Sequence, residues 1–329
     1  MCRPSATRPL WHQAAGPGRC RGRAGRPAGH SPADPRPGRV PVLMYHSFST
    51  EAAPAFRRFA LPPQRFRAHL DHLSGAGYTT HTYAQLVSAF AAGTTLPGRP
   101  VVITVDDGFR DFATVALPAL TERGMTATLF VTSGCTGSTA RFLARDGEGE
   151  RPMLGWGELA AAADAGIEIG AHTLTHPELD RVRGAKLRTE LAAPKAMLEQ
   201  RLHVPVRSLA YPYGYYSRKV RDAAEDAGYD SACTVLDLVC EPGDDLFALT
   251  RLTVADTTDV RALDRLLTSA PGRHDLARAH AKRLVWRQVR RVGAVRPVMA
   301  GLRALRDARS ARPASPEGQP QSSCSRSAP

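Results

Sequence analysis

The chain has 329 residues, 43% of them hydrophobic and 23% charged, which suffices for a full core and excludes a fibrous or wholly disordered protein. No run approaches the roughly 18 apolar residues of a membrane-spanning helix. The net charge of +13 would suggest a nucleic-acid binder, but residues 40–270 carry a net −4, and the positive excess sits in the two ends.

Residues 1–39 hold 8 Arg, 7 Pro and 6 Gly, a composition that cannot bury enough apolar surface to order itself, so a disordered arm is expected. The arm also lacks the apolar stretch of a secretory signal, which makes the expected location cytoplasmic or peripheral at the inner membrane face.

From residue 40 onward, short β-branched or apolar runs alternate with segments of helical period. The expected strands are Val40–Tyr45, Val101–Val105, Ala127–Thr132, Ile167–Ala171, Val206–Ala210, Ser231–Val235 and Leu252–Ala255. Helices are expected at Gln64–Ala76, Tyr83–Ala92, Phe112–Arg123, Gly157–Ala165, Ala185–Leu202 and Ser217–Ala227. Repeated βα units of this kind predict an α/β domain over 40–270 built on a parallel sheet, either a closed (β/α)7-type barrel or a doubly wound open sheet.

Beyond it, Val285, Val289, Val292, Val295, Val298, Leu302 and Leu305 fall at helical spacing among arginines, interrupted by Pro297. Residues 271–310 are therefore expected to form basic amphipathic helices suited to an anionic membrane surface rather than to nucleic acid, with a disordered tail over 311–329. The six cysteines have neither CxxC spacing nor small-domain density, so no zinc ribbon or disulfide framework is indicated.

Four expected strands run into residues that a strand-to-helix turn does not require: His46, Asp106-Asp107-Gly108, His172 with His176, and Tyr211-Pro212-Tyr213-Gly214. In a parallel barrel those ends emerge on one face and can converge. Adjacent residues of an extended segment point to opposite sides, so Asp106 and Asp107 can do different jobs, one binding a cation and the other meeting a water; a plain Asp-Gly turn is the competing explanation. His172 and His176 at i and i+4 would lie on one face of a helical turn and could share a metal, or could be polar residues beside a helix start. His46 is either a core histidine or a catalyst, and Tyr213 sits in a Pro/Gly turn that could aim a backbone N–H at an oxyanion.

Taken in this order, the aspartate pair, His172-Thr173-Leu174-Thr175-His176 and Tyr211-Pro212-Tyr213-Gly214 make residues 40–256 resemble the polysaccharide deacetylases, carbohydrate esterase family four. Pro41 to His46 and the stretch Val101–Val131 look like its poly-N-acetylglucosamine deacetylase branch. The resemblance implies a distorted barrel and a divalent metal, most commonly Zn2+, held by Asp107, His172 and His176. Asp106 would be the general base, and the Tyr213 N–H would stabilise the oxyanion. The substrate implied is an acetylated amino sugar, with O-acetyl esterase action or glycan binding without turnover as alternatives. Ala210 stands where the family commonly has an Arg, and the aspartate and tryptophan of its fourth motif have no match in Ser231–Cys240, which implies a different set of contacts around the base. The family's C-terminal Leu-x-His is absent after residue 256, and His46 takes its place as general acid in the permuted branch. Trp156 resembles a position near the substrate groove, although an aromatic at a helix start more commonly just packs.

Overall fold

A computed structural model describes residues 38–269, together with 271, 275 and 281. The expectations for the arm 1–39, the basic stretch 271–310 and the tail 311–329 therefore lie almost wholly outside the described residues. Among the described residues, no helix is long and apolar enough to cross a membrane.

The chain builds β1 (Val42–Tyr45), α1 (Pro63–Gly75), β2 (Tyr78–His81), α2 (Tyr83–Ala91) and β3 (Arg99–Val105). A π-helical turn, Phe112–Ala116, runs into α3 (Leu117–Thr121), followed by β4 (Thr128–Val131), α4 (Trp156–Asp164), β5 (Glu168–Ala171) and α5 (Gly184–Leu202). The chain then forms β6 (Ser208–Ala210), α6 (Arg218–Asp226), β7 (Ser231–Cys233), β8 (Leu252–Thr253) and α7 (Val260–Ser269). Local chemistry marks the starts: Pro63 opens α1, and Thr82 and Gln85 form a reciprocal capping box on α2, their side chains accepting from each other's backbone N–H at 3.2 and 2.9 Å. All ladders are parallel, in the order β7-β6-β5-β4-β3-β1-β8, with β2 pairing the first half of β3. This is the curled, distorted barrel of βα units. Its two ends meet through an irregular stretch, where Leu249 forms a parallel bridge with Cys233 ahead of β8. Two elements exceed the sequence expectation, the short strand β2 and the helix α7.

Strand period sorts the side chains into two layers. Leu43, Tyr45, Val101, Ile103, Val105, Leu129, Val131, Ile169, Leu209 and Ala232 face the helices and form the main core. Val42, Val102, Phe130, Ala210, Cys233 and Leu249 fill the barrel interior. Phe130 occupies so much of it that a Cβ on Gly170 would lie 2.5 Å from its ring, which explains the glycine in the neighbouring strand. Continued along each strand, the inward phase arrives at His46, Asp106, His172 and, on the approach to β8, Arg251. Polar chemistry thus collects at the carboxyl ends of β1, β3 and β5, with Arg251 entering ahead of β8, without any strand breaking its alternation.

Candidate active site

Asp106 is inward by strand phase, but Asp107 would point outward if the strand continued. Instead Asp107 and Gly108 adopt positive φ, 75° and 87°, and this left-handed turn brings the second carboxylate to the same side as the first. The histidine segment also departs from the sequence expectation. His172 and His176 do not lie on a helical turn: the segment after β5 is a loop with positive φ at Thr173 (67°) and His176 (61°). Such a conformation is costly for a β-branched residue and needs support. The Thr173 hydroxyl accepts the His176 N–H at 3.0 Å. Glu190, buried on α5, accepts from the Leu174 N–H (3.1 Å), the Thr175 N–H (2.9 Å) and the Thr175 hydroxyl (2.6 Å). A carboxylate on the following helix therefore staples the loop that presents both imidazoles.

The result is a compact set of donors. His172 Nε2 and His176 Nε2 lie 3.4 and 3.3 Å from Asp107 Oδ1, an atom that is buried and makes no satisfying hydrogen bond. Three corners of a tetrahedron with bonds of about 2.0–2.1 Å to a common centre stand about 3.3–3.4 Å apart, so these separations fit a small divalent cation. His172 Nδ1 donates to the Ala210 carbonyl at 2.8 Å, which fixes the tautomer and leaves its Nε2 lone pair facing Asp107. Burial works to raise the Asp107 pKa, but the two imidazoles outweigh it and hold the carboxyl well below the usual range. Burial would likewise lower His172, yet the charges of Asp106 and Asp107 prevail and raise it.

Asp106 stands beside this group, its Oδ2 3.9 Å from His172 Nε2, but its hydrogen bonds go elsewhere. Its two oxygens receive a bidentate pair from Arg251, Nη1 to Oδ1 at 2.6 Å and Nη2 to Oδ2 at 2.7 Å. Arg251 is fully buried, lies over the Phe130 ring at 5.5 Å, and also donates to the Thr104 hydroxyl (3.2 Å) and the Thr234 carbonyl (3.3 Å). Burial raises the Asp106 pKa, but Arg251 overcomes this and keeps the carboxylate ionised. Sequence reasoning missed Arg251. Its signal was an arginine in inward phase between Leu249 and Leu252, whereas its partner lies 145 positions away.

One cavity of about 360 Å3 gathers His46, Asp106, Asp107, His172, His176 and Tyr213, the six residues given a catalytic or metal-binding role from the sequence. His46 follows β1, its ring 4.7 Å from Phe59 and its Nδ1 buried without a hydrogen bond; burial lowers its pKa. Tyr213 has φ 59°, and its ring packs 4.8 Å from His176. The backbone hydrogen bonds of its turn run from Gly214 N–H to Tyr211 and from Tyr215 N–H to Pro212, leaving the Tyr213 N–H outside them. Gly214 permits the turn, since a Cβ there would sit 2.8 Å from the Val235 nitrogen. Trp156 is absent from the cavity lining; it begins α4, with the Arg201 guanidinium 5.6 Å from its ring, as a packing role requires.

Comparison with known proteins agrees with this geometry. Residues 93–232 match the polysaccharide deacetylase family. YxkH of Bacillus subtilis (strain 168), whose name places it among the polysaccharide deacetylases, is 28% identical over 220 residues, covering 67% of this chain and 73% of YxkH. A chitooligosaccharide deacetylase of Bradyrhizobium sp. (strain ANU 289) is 30% identical over 132 residues, 40% of this chain and 53% of that protein. These matches make the chain similar to the polysaccharide deacetylase family, carbohydrate esterase family four. Among solved structures, the Streptococcus pyogenes deacetylase PplD, in complex with acetate, superposes with a TM-score of 0.61 at 23% identity over 70% of this chain and 98% of PplD. IcaB from Ammonifex degensii gives 0.60 at 22% identity over 71% of this chain and 99% of IcaB. These two likenesses bear on the fold.

Proposed function

We propose that this protein is a metal-dependent hydrolase that removes the acetyl group from an N-acetylated amino sugar. The observation that carries the reading is the convergence of the Asp107 carboxylate and two imidazoles, with a second carboxylate beside them that Arg251 holds ionised. Asp107, His172 and His176 would hold a divalent cation, and two nitrogens with one oxygen favour Zn2+ among the common choices. Such a cation, when bound, lowers the pKa of water and polarises an amide carbonyl, which an unaided base cannot do for so poor an electrophile.

The remaining work falls to the chain itself. Asp106 accepts the proton of the attacking water, and Arg251 keeps it ionised and oriented while lowering its basicity. The Tyr213 N–H, outside its turn's own hydrogen bonds, is available to the oxygen on which charge develops as the carbonyl carbon becomes tetrahedral. His46 protonates the departing amine. Its lowered pKa makes the imidazolium a strong proton donor, at the expense of the fraction protonated at neutral pH. Release of acetate from an N-acetylglucosamine oligomer by the Zn2+-supplemented protein tests the reading. Turnover should disappear in Asp106→Asn while the cation remains bound; full turnover in Asp107→Ala would refute the proposal.

A further inference from the structure

We infer that the site, read as an amino-sugar deacetylase, admits a single terminal sugar unit end-on and acts at chain ends rather than along the interior of a polymer. Volume is the first argument. A cavity of about 360 Å3 lies near the lower limit of the roughly 300–1,000 Å3 typical of small-molecule sites, the scale of an acetylated ring rather than of a row of them within its walls.

The walls are the second argument. The lining is drawn from around the whole mouth: Phe56 and Phe59 after β1, Leu143 and Asp146 after β4, Tyr213 and Tyr215 after β6, with Val235 and Thr253 closing the side of β7 and β8. Two of these walls are joined into one. Arg151 donates through Nε to Glu148 (2.9 Å), through Nη1 to the Ser47 hydroxyl (2.9 Å) and through Nη2 to the Glu51 carbonyl (2.8 Å). Glu148 in turn accepts the Ala53 N–H at 2.5 Å. Beneath this clip, Phe56, Phe109, Ala140, Leu143 and Met153 form a separate buried apolar cluster. The segment after β1 and the segment after β4 therefore make one continuous wall of the mouth, with its own small core.

Facing that wall, Tyr213 and Tyr215 stack at 5.8 Å, and Tyr213 is 48% exposed. The exposed Tyr213 ring offers an apolar face to a pyranose in the cavity, while Phe59, with the Arg58 guanidinium over its ring at 4.8 Å, also lines it. A chain lying across the mouth would meet the clipped wall edge-on and would leave its acetamide above the donors.

The test uses the full-length protein and N-acetylglucosamine oligomers from dimer to hexamer, labelled at one end. With Zn2+ present, mass spectrometry should find no more than one acetate lost per chain, from a terminal unit, and kcat/KM per chain should not change with length. Loss of several acetates from internal units would overturn the inference. A second arm needs no turnover: saturation-transfer NMR of the hexamer on the chelator-treated protein should show transfer confined to one terminal ring. Transfer spread over three or more consecutive rings, or none at all, would overturn it. Absence of acetate from every oligomer with transfer still confined to one terminal ring would remove the deacetylase reading and leave the end-on mode standing.

Discussion

The two ends of the barrel offer a contrast. The larger cavity, about 720 Å3, lies at the amino ends of β5 and β6, where Glu168 is surrounded by partners. Its carboxylate accepts from the Ala84 N–H (2.8 Å), the Thr128 hydroxyl (2.8 Å) and the Ser208 hydroxyl (3.0 Å), tying α2, β4 and β6 to β5. The smaller cavity at the carboxyl ends contains buried polar atoms without hydrogen bonds: Asp107 Oδ1, His176 Nδ1 and His46 Nδ1. Buried polar groups are normally satisfied because leaving one unpaired costs about 1–3 kcal/mol. A satisfied carboxylate is structure, whereas a group of unsatisfied donors and acceptors awaits something else. Size alone would have selected the wrong end.

The sharpest way to break this contrast is to remove a donor from the smaller cavity. Asp107→Ala should lose stoichiometric binding of Zn2+, measured by competition with a chromophoric chelator, and with it all detectable acetate release. Unchanged affinity would mean that the convergence of the three side chains has another purpose.

Arg251 supplies the next effect. A buried ion pair broken on one side leaves an uncompensated charge, so Arg251→Met should lower stability in urea titration by about 3–5 kcal/mol. Removing both partners relieves that charge, and the double variant Asp106→Asn with Arg251→Met should regain most of the loss. Arg251→Lys keeps the charge without the fork and should fall between. If the double variant were no more stable than the single one, the pair would not be the source of the effect.

Glu190 tests preorganisation. Glu190→Ala removes all three hydrogen bonds to the loop, so the Thr173 and His176 backbone should relax from left-handed φ. Contacts that orient metal ligands commonly contribute about 10–100-fold to affinity, and a weakening of that size in Zn2+ binding is expected with little change in thermal unfolding of the chelated protein. Proton competition adds a pH dependence of known sign. His172 has a raised pKa and must release its proton to ligate, so apparent affinity should fall about tenfold per unit as pH drops below that value.

These residues also show how far the sequence could be read. Strand ends facing one way were legible because period-2 alternation and parallel βα order together determine which side chains collect, and His46, Asp106 and His172 followed from phase. Asp107 and His176 were identified for the right neighbourhood by a different geometry: two left-handed turns, rather than a flip along a strand and a helical turn, bring them in. Positive φ at Asp, Thr and His has no dependable local signature. Arg251 carried only its inward phase as a signal, because its meaning depends on Asp106, and Ala210 in place of the family's Arg indicated only a different set of contacts around the base. The strand β2 is four residues long, and its burial alternates weakly, so pattern alone passed over it.

The larger cavity yields the smallest effect. Glu168 bonds Ala84, Thr128 and Ser208 and shares none of these partners with the donors, so Glu168→Gln should change Zn2+ affinity and acetate release by no more than about twofold, as for independent sites. Its influence belongs to stability. Burial raises the Glu168 pKa despite the hydrogen bonds from Ala84, Thr128 and Ser208 that oppose it. In the window between its unfolded and folded values, the folded state holds the proton more firmly than the unfolded one. The stability Glu168 contributes is thus fully present below the unfolded pKa and is lost as pH rises through the folded pKa. The difference in urea midpoint between wild type and Glu168→Gln should accordingly move against the wild type from acid toward neutral pH. A difference flat across that range would mean that the carboxylate's hydrogen bonds cancel its desolvation, and the two ends of the barrel would then differ in their partners alone.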